Sequence, residues 1–398
     1  VPTTQDIAAE LSQERFALTA VLEFARTLTP DLGPKEILRS ALHAMMGKSL
    51  ISEAFGYLAK DGNFELVARA GFAQKEVPEF LDSKAFDAFL LNQTHPYTAL
   101  PLVGADGNGY LGLLGLGRSM NPKLSGDSEA TYLASLAALT SIALTNAWLF
   151  EGEKERERLE SELRLARDIQ VSLLPQTLPE IAGAEFAALS RPSEWVGGDY
   201  YDVIQLDDSR VLLAIADVVG KGVTAALTMS NLQAALRALV MLLREAHLSL
   251  IDVVKELNRL MCESTAPERF ITAAFGVLDV RHRTYESVVC GHPNPIMVVK
   301  GSCTTAESTG IPLGIVPTYP YDVCKYSLAA GSLLVLYTDG LSEAAHNGKQ
   351  LGEQGMERMA LDISNATGSL HESLKKAVSS ERISIEDDVT LVAVRLLG

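Results

Sequence analysis

The 398-residue chain has only four cysteines, Cys262, Cys290, Cys303 and Cys324, and no two of them form a CxxC pair. A compact Cys/His ligand set is missing, and zinc with it. The opening, VPTTQDIAAELSQERF, has neither a basic n-region nor an apolar h-region. Scattered cysteines without a secretion signal fit a reducing compartment, so a cytoplasmic location is expected. Basic charge is scarce: 34 Lys plus Arg face 50 Asp plus Glu, a formal net charge of -16. A broad nucleic-acid grip needs a basic face, so no nucleic acid is expected as partner, nor adhesion to an anionic membrane. Long hydrophobic runs are lacking too. The stretch near 132–150 is broken by Thr140, Ser141, Thr145 and Asn146, which predicts a buried helix face and no membrane span. There is no GxxxxGK[ST], because Gly220-Lys-Gly222 lacks the spacing and the Ser/Thr, and no Gly-x-Ser-x-Gly nucleophile turn.

What is there suffices for more than one core, since a 42.8 kDa chain exceeds one comfortable domain. Apolar spacing predicts a helix over 11–28, and Pro34 opens a second that reaches Met46. Strands at 54–59 and 64–69 flank the turn Lys60-Asp-Gly-Asn63, and a second hairpin joins 101–103 to 110–117. A long helix starts near Ser128. This order of elements over residues 1–150, with the strand Gly109-Tyr-Leu-Gly-Leu-Leu-Gly-Leu-Gly117, resembles a GAF domain. The resemblance implies a sensor module that takes a small-molecule ligand or an upstream regulatory protein.

Residues 151–180 read as a helical linker. Within 151–170 lie seven acids and five bases, with apolar Leu159, Leu163, Ala166 and Ile169 at steps of four and three. Such a stalk could pair with its copy in a homodimer or pack on its own domain. Residues 181–398 form the second domain. Strands are predicted at 211–217, 270–278, 285–290, 296–299, 332–337 and 389–396, and helices at 222–246, 249–262 and 370–379. They cluster rather than alternate as βαβ units, so the class is α+β with sheets covered by helices.

The chemistry gathers in four carboxylate motifs: Val196-Gly-Gly-Asp-Tyr-Tyr-Asp202, Ile215-Ala-Asp-Val-Val-Gly-Lys-Gly222, Leu336-Tyr-Thr-Asp-Gly340 and Glu386-Asp-Asp-Val-Thr390. Asp217 and Asp339 follow apolar strands, a costly place for an unpaired charge. Glycines beside the acids, Gly198 and Gly340 among them, permit close approach. Carboxylates sharing one small site need cations to balance them, and an all-oxygen set favours Mg²⁺ or Mn²⁺. A metal pair can activate a water for in-line attack on a phosphate ester. On this logic alone, hydrolase, cyclase and nuclease all stay open. His292 is assigned a structural role beside its turn.

In this order the motifs look like one family. Residues 165–396 are similar to the bacterial PPM-type (PP2C-like) serine/threonine phosphatases of the stress-response and sporulation type. Ala166-Arg-Asp-Ile-Gln-Val-Ser-Leu-Leu-Pro175, Phe270-Ile-Thr-Ala-Ala-Phe-Gly-Val-Leu-Asp279, Cys290-Gly-His-Pro-Asn-Pro295 and Gly310-Ile-Pro-Leu-Gly314 complete the match. The resemblance implies a PP2C-like α-β-β-α sandwich with two Mn²⁺ or Mg²⁺ ions between the ends of its sheets. It implies Asp199 and Asp217 as catalytic metal ligands, Asp217 bridging both ions, with Asp339, Asp387 and the carbonyl of Val218 completing the set. Asp388 ranks below Asp387, because neighbours on an extended chain point to opposite faces. Asp202 is a helper that could orient a metal-bound water, and Lys221 a candidate phosphate contact. Val219 and Cys290 depart from the family pattern without removing a carboxylate. The implied substrate is phosphoserine or phosphothreonine on a STAS-type anti-sigma antagonist. A catalytically inactive binding protein with the same fold, and a phosphodiester hydrolase, stand as alternatives.

Overall fold

The structure, a computed structural model, describes residues 4–29, 31–71, 77–91, 97–104, 109–121, 127–193, 195–245, 247–265, 269–346, 349–378, 383–384 and 387–398. Two compact units emerge, Val1–Leu159 and Glu160–Gly398. The charged stretch expected as a separate linker is part of one long helix, and the boundary between the units falls inside it.

The first unit begins with α1 (Thr4–Thr27) and α2 (Pro34–Ser49), then β1 (Ala54–Lys60), β2 (Asn63–Ala70), β3 (Phe80–Leu81) and α3 (Ser83–Leu91). After them come β4 (Thr98–Val103), β5 (Tyr110–Leu116) and α4 (Asp127–Leu173). The strands form one antiparallel sheet in the order β3-β2-β1-β5-β4. Alternation along β1 sorts its two faces. Ala54 and Leu58 join Leu38, Met45, Leu136 and Leu144 of the helices, whereas Phe55 and Tyr57 join an aromatic cluster with Phe64 and Phe86.

The second unit continues with β6 (Ala184–Arg191), β7 (Tyr200–Gln205), β8 (Arg210–Val218), α5 (Val223–Arg244), α6 (Leu250–Ser264), β9 (Ile271–Asp279) and β10 (Thr284–Cys290). Next are β11 (Ile296–Val299), β12 (Ser302–Thr305), β13 (Cys324–Ser327), β14 (Leu333–Tyr337) and α7 (Asp339–Ser342). The remainder is β15 (Ala345–His346), β16 (Lys349–Gln350), α8 (Gly352–Asn365), α9 (Leu370–Val378), β17 (Ile383–Ser384) and β18 (Val389–Leu396). Two five-stranded antiparallel sheets result, β13-β10-β9-β8-β7 and β12-β11-β14-β18-β6, beside a small sheet β16-β15-β17.

Three apolar layers show how the sheets stack. Leu213, Ile215 and Ala274 of the first sheet pack against Leu334, Leu336, Val392 and Val394 of the second. The other face of the first sheet, with Leu212, Ala214 and Phe275, is covered by Met229, Leu232 and Leu236 of α5 and Val254 and Leu257 of α6. On the outer face of the second sheet, Val335, Leu391 and Ala393 meet Met356, Ala360 and Ile363 of α8 and Leu370 and Leu374 of α9. The order is α-β-β-α, as expected. By length and composition α4 and α5 could each cross a bilayer. Half of the relevant α5 window is buried inside its own unit, as a core helix would be.

Candidate active site

The sandwich brings the four carboxylate motifs to one end for a topological reason. Strand β7 starts where its antiparallel neighbour β8 finishes, and β18 starts where β14 finishes. Asp199 immediately precedes β7, and Asp217 is the penultimate residue of β8. Asp339 follows β14 after Thr338 and opens the short helix α7, while Asp387 and Asp388 lead into β18. Two pairs of strand ends, one from each sheet, thus present their acids together.

The electrostatics record that proximity. Asp217 is pushed up to about 8, first by burial and then by the charges of Asp199, Asp339, Asp387 and Asp388. Burial lifts Asp199 to about 7, against hydrogen bonds from Thr390 and Thr338 that favour its charged form. Asp339 is raised by burial and by Asp387. Such a cluster disfavours its own ionisation unless positive charge arrives.

Close approach depends on two glycines. A Cβ at Gly198 would lie 2.8 Å from the carbonyl oxygen of Val218 and 3.1 Å from Asp217 Oδ1. One at Gly340 would meet the Asp388 carbonyl oxygen at 1.9 Å, closer than any side chain tolerates. Both sequence-selected glycines are therefore required by contacts between chain segments at the site.

Side chains beyond the acids hold them in place. Thr338 Oγ1 donates to Asp199 Oδ2 at 2.9 Å and accepts from the Thr390 N–H at 2.9 Å, so one hydroxyl links the two sheets. His292 is buried, with Nε2 3.1 Å from the Tyr337 carbonyl and Nδ1 3.0 Å from the Thr272 hydroxyl. A carbonyl only accepts, so Nε2 carries the proton and Nδ1 receives the Thr272 hydroxyl. Thr272 pairs with Asp217 in the ladder, and Tyr337 is two residues before Asp339. The neutral ring, its pKa lowered to about 3 by burial, thus joins β14, which leads to Asp339, to β9, the ladder neighbour of the strand that carries Asp217.

Asp388 spends its oxygens on the loop before β7. Oδ1 accepts from the Ser193 N–H and hydroxyl at 2.7 and 2.9 Å, and Oδ2 from the Gly198 N–H at 2.8 Å. Asp387 instead faces Lys221, whose Nζ lies 3.0 Å from its Oδ1. Asp202 departs from the expected helper role. It lies on β7 and accepts from the Tyr200 hydroxyl, the Val203 N–H and Arg237 of α5, with Arg237 Nε at 2.8 Å. These bonds occupy it on the helix-covered side of the sheet.

Gln170 stands within the matched segment Ala166–Pro175, yet its part shows only in the fold. Its amide donates to the Gly197 carbonyl at 2.6 Å and accepts from the Gly197 N–H at 3.1 Å, gripping the chain two residues before Asp199. The signal lay in a polar residue among the apolar steps of an amphipathic helix. A cavity of about 230 Å³ beside this clamp is lined by Arg167, Gln170, Leu174, Asp199, Tyr201 and Asp388.

Among the described residues, no three His, Cys, Asp or Glu side chains close on one point as a ready ion-binding group. The acids are neighbours rather than a finished coordination shell. Their chemistry nevertheless fits hard divalent cations: carboxylate oxygens with a nearby main-chain carbonyl, pKa values raised by burial and by mutual repulsion, and no soft ligand.

Comparisons with known proteins bear on the second unit. Residues 207–397 match the family described as Stage II sporulation protein E (SpoIIE). The chain is 28% identical over 247 residues to the phosphoserine phosphatase RsbU of Bacillus subtilis, covering 60% of this chain and 71% of RsbU. It is 29% identical over 261 residues to the protein IcfG of Synechocystis, covering 58% of this chain but only 41% of IcfG. The SiaA-PP2C domain of Pseudomonas aeruginosa shares the fold, with a TM-score of 0.52 at 21% identity over 61% of this chain and 98% of that domain. The match to the SpoIIE family lies within the second unit, which shares the PP2C fold.

Proposed function

We propose that this chain hydrolyses phosphoserine or phosphothreonine on a regulatory protein, with two Mn²⁺ or Mg²⁺ ions held by Asp199, Asp217, Asp339, Asp387 and the Val218 carbonyl. The observation that carries this reading is the meeting of Asp199, Asp217, Asp339 and Asp387 at one end of the sandwich, where burial and neighbouring carboxylates push Asp217, Asp199 and Asp339 upward. When bound, the ions would lower the pKa of a water and offset charge on the phosphoryl group. The protein's own part is positional. Thr338 aims Asp199, and His292 ties β9, the neighbour of the Asp217 strand, to the strand before Asp339. Asp388 and Gln170 fix the Gly197-Gly198 segment from two directions.

A phosphorylated STAS-type protein is the substrate class the family likeness favours, and RsbU is itself named a phosphoserine phosphatase. We assign the first unit the role of a GAF-like sensor for a small molecule or an upstream protein. Exposed Leu159, Leu165 and Ile169 on α4 support pairing of two copies through this helix.

The test is orthophosphate release from a phosphoserine peptide and from a phosphorylated STAS protein, with Mn²⁺ supplied. Asp217→Asn should lower turnover by on the order of 10²–10³-fold. It should also raise the melting temperature in chelator, because a repelled carboxylate is gone. Undiminished release by the variant, or cleavage of a diester but no phosphoserine, would overturn the reading.

A further inference from the structure

We propose that Lys221 is a built-in rival of the divalent cation for Asp387, and so sets a deliberately weak affinity at that corner of the site. The inference rests on the phosphatase reading and deepens it. Lys221 lies on the short segment between Asp217, near the end of β8, and the first residue of α5. Its ammonium stands 3.0 Å from Asp387 Oδ1, and both side chains are about half exposed (52% and 49%). The same acid contributes to the repulsion felt by Asp217 and Asp339. An ammonium at Asp387 therefore does part of the work a cation would do: it offsets negative charge in the cluster.

The two cannot share the oxygen on equal terms. A divalent ion approaching Oδ1 meets a positive charge at hydrogen-bond distance from its ligand, and an ammonium has no lone pair with which to join the coordination shell. The cation must displace Nζ or accept a like charge beside it. Lysine suits displacement, because its charge sits on a flexible four-carbon stem and half of the side chain is already in solvent. Exposure also limits the energy at stake. An exposed pair of this kind is modest, which converts to an effect of about two- to fivefold on cation affinity. Lys221 would act as a counter-ion for the metal-free state and a threshold against filling the site at low cation supply.

Calorimetric titration of the full chain with Mn²⁺ alone, without substrate, reads this directly. Lys221→Gln should bind Mn²⁺ about two- to fivefold more tightly than the parent, with a smaller gap at 0.5 M salt because screening weakens the rival. Lys221→Met, also uncharged, should behave alike. Asp387→Asn should bind less tightly, and adding Lys221→Gln to it should give a smaller gain than in the parent, as a coupled pair requires. Thermal unfolding in chelator confirms that each variant is folded. Unchanged or weaker Mn²⁺ binding by both lysine variants overturns the proposal and leaves the phosphatase reading standing. So does an equal gain in the Asp387→Asn background, which would make the effect general rather than paired. A parent chain that takes up no Mn²⁺ overturns both.

Discussion

The two units share an architectural habit, an antiparallel five-stranded sheet with helices on it, but they bury different things. Among the described residues, the buried polar side chains of the first unit are uncharged: Ser49, Thr140 and Ser141. The second unit buries Asp199, Asp202, His292, Asn258, Thr338 and Thr390, and surrounds them with specific partners. A core made of hydrocarbon is stabilised by packing alone. A core that contains carboxylates is stable only if partners or cations answer each charge. The difference predicts that the two units fail in different ways.

The largest effect separates them by mechanism. Leu38 is fully buried against the sheet of the first unit, so Leu38→Ala should cost that unit about 2–5 kcal/mol through the cavity it leaves. Chemical denaturation should show this penalty with little dependence on pH or salt. In the second unit, Arg237→Ala should cost about 3 kcal/mol for another reason: it strands Asp202, which is only 1% exposed. The Tyr200 hydroxyl and the Val203 N–H still serve that carboxylate, which keeps the loss at the lower end of the range. Arg237→Lys should recover part of it. A loss equal to that of Leu38→Ala with no rescue by lysine would erase the distinction.

A pH experiment sharpens the contrast. Burial holds His292 neutral down to about pH 3, whereas an unfolded imidazole takes a proton near 6.5. Between those values the unfolded state binds the extra proton, so acid should destabilise the second unit through this residue. The contribution is about 2 kcal/mol between pH 6.5 and pH 5. In His292→Gln that part of the slope should vanish, read from urea midpoints at both pH values. A last effect, read on metal affinity rather than stability, concerns Gln170. Gln170→Ala leaves the acids intact but frees Gly197, and Mn²⁺ affinity should fall about 10- to 100-fold, as for other residues that orient ligands. An unchanged Mn²⁺ titration would show that the clamp is only structural.

Much of the site was legible because it is built from local patterns. Apolar strands ending in Asp217 and shortly before Asp339, with glycine nearby, stand out in one dimension. The alternation of an extended chain also separated Asp387 from Asp388, and the two now face Lys221 and the Ser193–Gly198 loop. Other elements were less visible. Helix α8 opens at Gly352 and contains Gly355, poor helix formers that obscure a clear spacing of Met356, Met359, Ala360 and Ile363. Strand β6 is short in β-branched residues, and its place at the sheet edge comes from full-length pairing with β18, some two hundred residues later. Asp202 shares a motif with Asp199 yet serves Arg237, a partner thirty-five residues distant that no spacing rule names.

By itself, then, the chain's order of residues determined the element types, the α+β class and the acids that terminate strands, because these follow from side-chain periodicity and from where a charge can be tolerated along a strand. Tertiary structure alone decided which of those acids meet, which are already answered by arginine, threonine or backbone N–H groups, and that Gln170 and His292 hold the rest in place. The physical reason is that a carboxylate's role depends on the charges and donors within a few ångströms of it. In this fold those neighbours come from strands that are close in space and remote in sequence.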